Sequence, residues 1–227
     1  MKRDSFFVGV ICAFLAAGST ALADSSRQTY GDAMGWYLEA AEAGEPRAQF
    51  LLAMQYELGV RGAPNPEKAF HWYRQAAEGG YAQAQYKLGL LLSPKGDKGD
   101  FTKAANWFHQ AAENGVAEAA FNYALMCEQG LGVEKNLNEA VVWHEKAAVG
   151  GQAKSAMSLA TLYSRGVEGS PNRMKALAWL RIAEAMGESI PDPVATLFRL
   201  ELPDEDVEKA KAFAEEWLGN QNLNARP

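Results

Sequence analysis

Cysteine is almost missing from these 227 residues, which hold only Cys12 and Cys127. Cys12 lies in an apolar N-terminal run and lacks the Leu-Ala-Gly-Cys pattern of lipidated leaders, so lipidation is not indicated. Once that run is removed a single thiol remains, and no internal disulfide can form even in an oxidising compartment. Histidine is scarce too, with His71, His109 and His144 alone. No H-E-x-x-H, C-x-x-C, G-x-S-x-G or Ser-x-x-Lys occurs, which removes the usual zinc, redox and serine-nucleophile motifs. Nor is there an excess of positive charge. Lys and Arg number 22 against 28 Asp and Glu, a formal charge of −6, so a clustered cationic surface for nucleic acid is not expected. After the N-terminal run, no apolar stretch reaches the roughly 20 residues that a membrane helix needs.

That N-terminal run reads as a targeting segment. Lys2 and Arg3 give a short basic start, Phe6 to Ala17 is apolar, and Ala21-Leu22-Ala23 offers a small-x-small cleavage site. Residues 1–23 are therefore expected to be a signal peptide cut after Ala23, which places the mature chain in the periplasm or outside the cell. An uncleaved N-terminal anchor is the competing reading. Cleavage removes Lys2, Arg3 and Asp4, leaving a charge one unit more negative than that of the full chain. The apolar fraction of 48% suits a soluble chain that builds a core.

What the chain has in abundance is periodicity. Trp36, Trp72, Trp107, Trp143 and Trp179 recur at intervals of 36, 35, 36 and 36 residues. An alanine stands three residues before each: Ala33, Ala69, Ala104, Ala140 and Ala176. Another stands four after: Ala40, Ala76, Ala111, Ala147 and Ala183. A glycine stands eight after: Gly44, Gly80, Gly115, Gly151 and Gly187. Self-similarity at this period marks a stacked repeat protein. Alanines and Trp at i, i+3 and i+7 form one stripe of a helix, with the five indoles as structural core.

Each repeat reads as two antiparallel helices. Before the Trp-bearing B helix stand Asn65, Asp100, Asn136 and Asn172, side chains that accept a bond from free N–H groups at a helix start. Thr29 holds that place in the leading helix, with Asp32 three residues on. The glycine past each Trp is expected to end the B helix. The A helices run Arg47 to Tyr56, Gln83 to Leu92, Glu118 to Cys127 and Lys154 to Tyr163, with large and small residues in helical register. Cys127 shares its place with Tyr56, Leu92 and Tyr163, which makes it a buried hydrophobe. The Gly-rich loops between A and B are turn chemistry, without phosphate-loop spacing. Ser93 to Asp100 is shorter and more polar, and Asp97 and Asp100 lack the ligand pattern of a calcium loop.

The stretches L-A-x-x-Y-x-x-G (Leu52 to Gly59) and E-K-A-x-x-W-x-x-x-A-A-E-x-G (Glu67 to Gly80) resemble the Sel1-like repeat, a relative of the tetratricopeptide repeats. The resemblance spans about Thr29 to Gly187. It implies an all-α, right-handed α-solenoid of antiparallel helix pairs, with A helices lining a concave surface, and a role as adaptor for protein complexes, often in bacterial envelopes. Some bacterial members carry a disulfide in each repeat. This chain lacks those cysteines, so that branch and its proposed penicillin-binding role do not carry over. The expected organisation is a leading helix over 29–44, repeats over 45–80, 81–115, 116–151 and 152–187, capping helices over 188–219 and a frayed tail over 220–227. Within the cap, Asp192 to Leu200 reads as a short helix. A last helix, beginning at Pro203 and ending at Leu218, carries Phe213 and Trp217 one turn apart.

No catalytic, cofactor or metal site is expected. At about 100° per residue the three histidines point in three directions from the B helices and cannot gather round one zinc; they read as surface or core-edge imidazoles. By the resemblance, the groove is lined by Phe50 and Met54, Tyr86 and Leu90, Phe121 and Leu125, and Met157 and Thr161. Arg47, Gln83, Glu118 and Lys154 stand beside them, with Glu57 and Glu128 deeper along the helices. An apolar floor with mixed polar walls suits a peptide or partner helix. In the competing reading, Phe50, Tyr86 and Phe121 bridge neighbouring A helices. The expected function is a non-enzymatic scaffold or regulator that binds a protein or peptide in the cell envelope, with no nucleic acid and no membrane span after cleavage. A secreted factor binding host proteins, or a hydrolase of cell wall or β-lactams, are the alternatives.

Overall fold

Asparagine and aspartate start the B helices in the way their chemistry dictates. Oδ1 of Asn65, Asp100, Asn136 and Asn172 accepts the N–H of the residue three positions on, at 2.9 to 3.1 Å. The backbone N–H of each same cap donates back to the A helix, to the carbonyls of Tyr56, Leu92, Cys127 and Tyr163 in turn. One residue thus opens the B helix and clasps its C=O partner, closing the hairpin.

The computed structural model describes residues 35–60, 62–93, 99–167, 169–190 and 202–224, with the side chains of 222–224 excepted. The leader, its cleavage site, Thr29, Asp32, Asp97 and the expected helix Asp192 to Leu200 lie outside the described residues. Helix α1 covers 35–42. It is followed by α2 (Pro46–Leu58), α3 (Pro66–Glu78), α4 (Ala82–Leu92), α5 (Phe101–Glu113), α6 (Ala117–Gln129), α7 (Leu137–Val149), α8 (Ala153–Arg165), α9 (Arg173–Ala185) and α10 (Asp204–Asn224). No strand occurs among the described residues. The chain is an all-α array of helix pairs, divided into two compact units, residues 1–79 and 80–227.

In the first unit, α2 and α3 form a hairpin. Ala41, Ala48 and Leu52 make a small core, with Tyr37, Tyr56 and Trp72 packed against it. Pro46 and Pro66 sit in the first turns of their helices, where a missing N–H costs nothing. In the second unit the hairpins α4–α5, α6–α7 and α8–α9 follow one another, with α5 on α6, α7 on α8 and α10 on α9. Its core is the alanine stripe of the B helices, with Ala104, Ala111, Ala140, Ala147, Ala176 and Ala183 fully buried.

The glycine eight residues past each Trp adopts a positive φ, between 84° and 99°, in all five repeats. A Cβ there would meet nothing within 4 Å; the backbone conformation, not crowding, calls for glycine. The residue that follows donates its N–H to the alanine four past the Trp: Glu45 to Ala40, Val116 to Ala111, Gln152 to Ala147 and Glu188 to Ala183. This six-to-one closure ends the B helix and starts the next A helix.

The tryptophans divide. Trp143 and Trp179 are buried, Trp72 and Trp107 half-buried, and Trp36 is 61% exposed. Trp36 thus departs from the buried stripe. At the other end, Phe213 and Trp217 of α10 set their rings 6.1 and 5.4 Å from that of Trp179, so the cap covers the last indole. Helix α10 also runs through Gly219 to Asn224, past the end expected at Leu218 and into the expected tail. Gly219 lacks the positive φ seen in the B-helix glycines, and a glycine in α conformation weakens a helix without ending it.

Candidate functional site

The A helices carry the candidate face. In the first unit, α2 sets Arg47 and Glu57 out to solvent and leaves Phe50 and Met54 half-buried. The Phe50 ring leans on Tyr73 of α3, 5.5 Å between centroids. Tyr73 donates its hydroxyl to Oε2 of Glu57 at 2.5 Å. Burial, and then the bond to Glu57, push the Tyr73 phenol well above its ordinary range.

In the second unit Gln83, Glu118 and Lys154 are exposed; Tyr86, Phe121 and Met157 are half-buried. Leu90 is 42% exposed, while Leu125, Glu128 and Thr161 are half-buried. Tyr86 packs on Phe108 and Phe121 on His144, at 6.0 and 5.6 Å. The aromatic row therefore braces these three A helices against their own B helices, at the residue just past the Trp. Tyr86 adds a link between A helices through the Asn122 side chain. Its phenol is pushed up, chiefly by burial and then by the charge of Glu118, against the lowering hydrogen bond from Asn122. The Thr161 hydroxyl turns back to donate to the Met157 carbonyl at 3.1 Å.

Glu128 is engaged as well. Its Oε1 lies 2.6 Å from Nε2 of His144, and Nδ1 of the same ring lies 3.4 Å from the Ser155 hydroxyl. His144 and Ser155 have no exposure to solvent. This corrects the expectation of a surface or core-edge imidazole. His144 stands where the other repeats place Tyr73, Phe108 and Leu180, against the A helix, and both ring nitrogens find partners. Hydroxyl, imidazole and carboxylate follow in the order of a nucleophilic triad, but the hydroxyl is sealed in the junction of α7 and α8, where no substrate reaches it. His71 is exposed and His109 half-buried beside Tyr123 and Trp143. Among the described residues, no group of three or more His, Cys, Asp and Glu is placed to hold a metal ion. No described helix is long and apolar enough to cross a membrane.

Sequence reasoning missed the Glu128–His144–Ser155 junction. The signal was present in the chain: Glu57 and Tyr73, like Glu128 and His144, are sixteen residues apart. Asn122 was missed as well, because its contact comes from the neighbouring repeat.

Five stretches match the Sel1 repeat model: residues 28–45, 46–81, 82–116, 117–151 and 153–188. Among solved structures, the chain is similar to c5321, a protective antigen present in uropathogenic Escherichia coli strains that displays an SLR fold. The two are 29% identical with a TM-score of 0.67; the match covers 86% of this chain and 44% of that one, so this chain spans less than half of that protein. A Sel1 repeat protein from Oxalobacter formigenes is 28% identical, over 74% of this chain and 70% of that one, with a TM-score of 0.65. No curated protein matches the chain.

Proposed function

This chain belongs to the Sel1 repeat family, and from that premise we propose that it is a scaffold or regulator in the bacterial cell envelope, binding a peptide or partner protein on its A-helix faces. Sel1 repeat proteins are generally non-enzymatic protein-interaction scaffolds. The observation that carries the reading is the contrast between faces in the second unit. The B-helix alanine stripe is wholly consumed by packing, whereas Leu90, Leu125 and Met157 keep solvent-facing apolar surface between the exposed Gln83, Glu118 and Lys154. In the first unit Arg47 and Met54 hold the same register. Such a face offers apolar anchors inside a mixed polar rim, the pattern of a partner-binding surface. The envelope location is supported by the basic, apolar and small-x-small sequence of residues 1–23.

The test changes Met54, Leu90 and Leu125 to Asp together. Retained helical signal with loss of in-cell crosslinks from the A-helix positions is the expected result. Unchanged crosslinks in a folded variant remove the A-helix face from consideration. The periplasmic fraction should contain a chain that begins at Asp24.

The second reading, a secreted factor that binds host proteins, draws on the likeness to a protective antigen. Recovery of the chain from the growth medium rather than the periplasm favours it. Turnover of cell-wall fragments or β-lactams by the pure protein would support the hydrolase reading, which the burial of Ser155 and His144 opposes.

A further inference from the structure

Glu128 is held from behind and open in front. Its Oε1 lies 2.6 Å from Nε2 of His144, which is sealed from solvent, while the Glu128 side chain keeps 20% exposure. A carboxylate only accepts, so Nε2 donates to Oε1. Among the described residues nothing bonds Oε2, and no Lys or Arg pairs with Glu128, the exposed Arg165 at the end of α8 included.

The imidazole is fixed in turn. Ser155 lies 3.4 Å from Nδ1, and Phe121 rests on the ring at 5.6 Å. Ser155 stands where the other A helices carry Ala48, Ala84 and Ala119. The fold does not require this polar set. Phe108 and Leu180 fill the place of His144, with Ser93 and Ser164 in the place of Glu128. An acid in the last turn of a helix also opposes the helix dipole. Departures from the repeat pattern in α6, α7 and α8 thus converge on one carboxylate, whose position is set before anything binds to it. An anchor fixed in advance has little ordering left to lose on binding.

Glu128 also continues an apolar stripe. Phe121, Leu125 and Glu128 fall at i, i+4 and i+7 on α6, and all three are half-buried. Among the A helices of the second unit, only α6 carries an acid in its last turn, where the carbonyl end of the helix adds negative potential. We propose that Glu128 is the polar anchor of the A-helix face and takes a Lys or Arg side chain of the partner. The aliphatic stem of that side chain lies on Leu125 while its charged head reaches Oε2. His144 and Ser155 act through Glu128 as positioning residues. This rests on the A-helix face being the binding surface, and adds the chemistry of what binds there.

The test selects peptides from a random display library on the whole chain and maps each binder by photocrosslinking. Binders on the A-helix face should carry a basic residue whose replacement by citrulline, which keeps the shape of arginine and loses its charge, weakens them about tenfold. Glu128→Gln keeps an acceptor for His144 and should bring that ratio close to one. The paired change Glu128→Gln with His144→Phe copies the apolar arrangement at Phe108 and should lower the ratio equally. His144→Phe alone leaves the carboxylate but frees it, so an intermediate ratio is expected; an unaltered ratio overturns the positioning role. A ratio near one in the unaltered chain, or one that survives Glu128→Gln, overturns the anchor and leaves the A-helix face standing. Binders that crosslink elsewhere, or the absence of any binder, overturn both.

Discussion

Nε2 of His144 lies 2.6 Å from Oε1 of Glu128, and in the first repeat the hydroxyl of Tyr73 reaches Oε2 of Glu57 at 2.5 Å across the same sixteen-residue separation. In both, an acid near the end of an A helix locks the B-helix residue just past the Trp. The second repeat fills the place with Phe108, whose ring lies where a Cβ on Gly89 would be, at 2.5 Å. The fourth uses Leu180. One position thus accepts either an apolar contact or a partnered polar one.

Glu128→Ala leaves the buried His144 imidazole short of a partner and should cost about 1–3 kcal/mol. His144→Phe should cost less, since Phe108 shows that the place takes an aromatic ring. Urea unfolding of both variants ranks them, and a larger loss for His144→Phe would contradict the lock.

Burial, followed by the nearby charge of Glu139 and against a lowering hydrogen bond with Tyr123, pushes the Cys127 thiol up to about 11. The folded state therefore holds the proton to higher pH than the unfolded chain, whose thiol titrates near about 8.5. The thiol's contribution to stability is full below the unfolded value and is lost as pH rises towards 11. Tyr73, raised by burial and then by Glu57, and Tyr123, raised by burial and then by Cys127 and Glu139, act in the same direction at still higher pH. Unfolding midpoints should fall from about pH 9 upward, and Cys127→Ala should flatten the early part of that fall. Folded protein should resist iodoacetamide at pH 8 and react once unfolded.

Asn136→Ala removes the side-chain acceptor for the Glu139 N–H but keeps the backbone clasp to Cys127. A loss of about 1 kcal/mol is expected. Asn172→Ala should match it, because the geometry repeats at Lys175. Thermal unfolding of the two single variants checks the equivalence.

Two glycines should respond with opposite sign. Gly151 has φ 92°, so Gly151→Ala forces a side chain into a left-handed conformation and destabilises by roughly 1 kcal/mol or more. Gly219 lies inside α10 with open space around it. Gly219→Ala should stabilise by about 0.5–1 kcal/mol. Both are read from denaturant midpoints.

The helix pairs were legible because each carries its own start and stop. Asn65, Asp100, Asn136 and Asn172 cap the B helices through local bonds, and the glycines past each Trp take a backbone conformation that few other residues tolerate. Legibility failed where a side chain's fate depends on a neighbour distant in sequence. His144 looked like an edge imidazole because its partners, Glu128 and Ser155, lie on the helices before and after. The packing of Phe50, Tyr86 and Phe121 onto Tyr73, Phe108 and His144 was not readable from one helix alone. Gly219 misled because it resembles a helix stop in sequence, while only its backbone dihedral decides whether it is one.

The sequence by itself determined the period, the family and the starts and stops of the B helices, since all three rest on contacts within a few residues or on repetition of one residue type. Tertiary structure decided which indoles are covered, which acids are already partnered and which polar groups are sealed from water. Those outcomes turn on the solvent that each side chain loses to another hairpin, a quantity that no single stretch of chain contains.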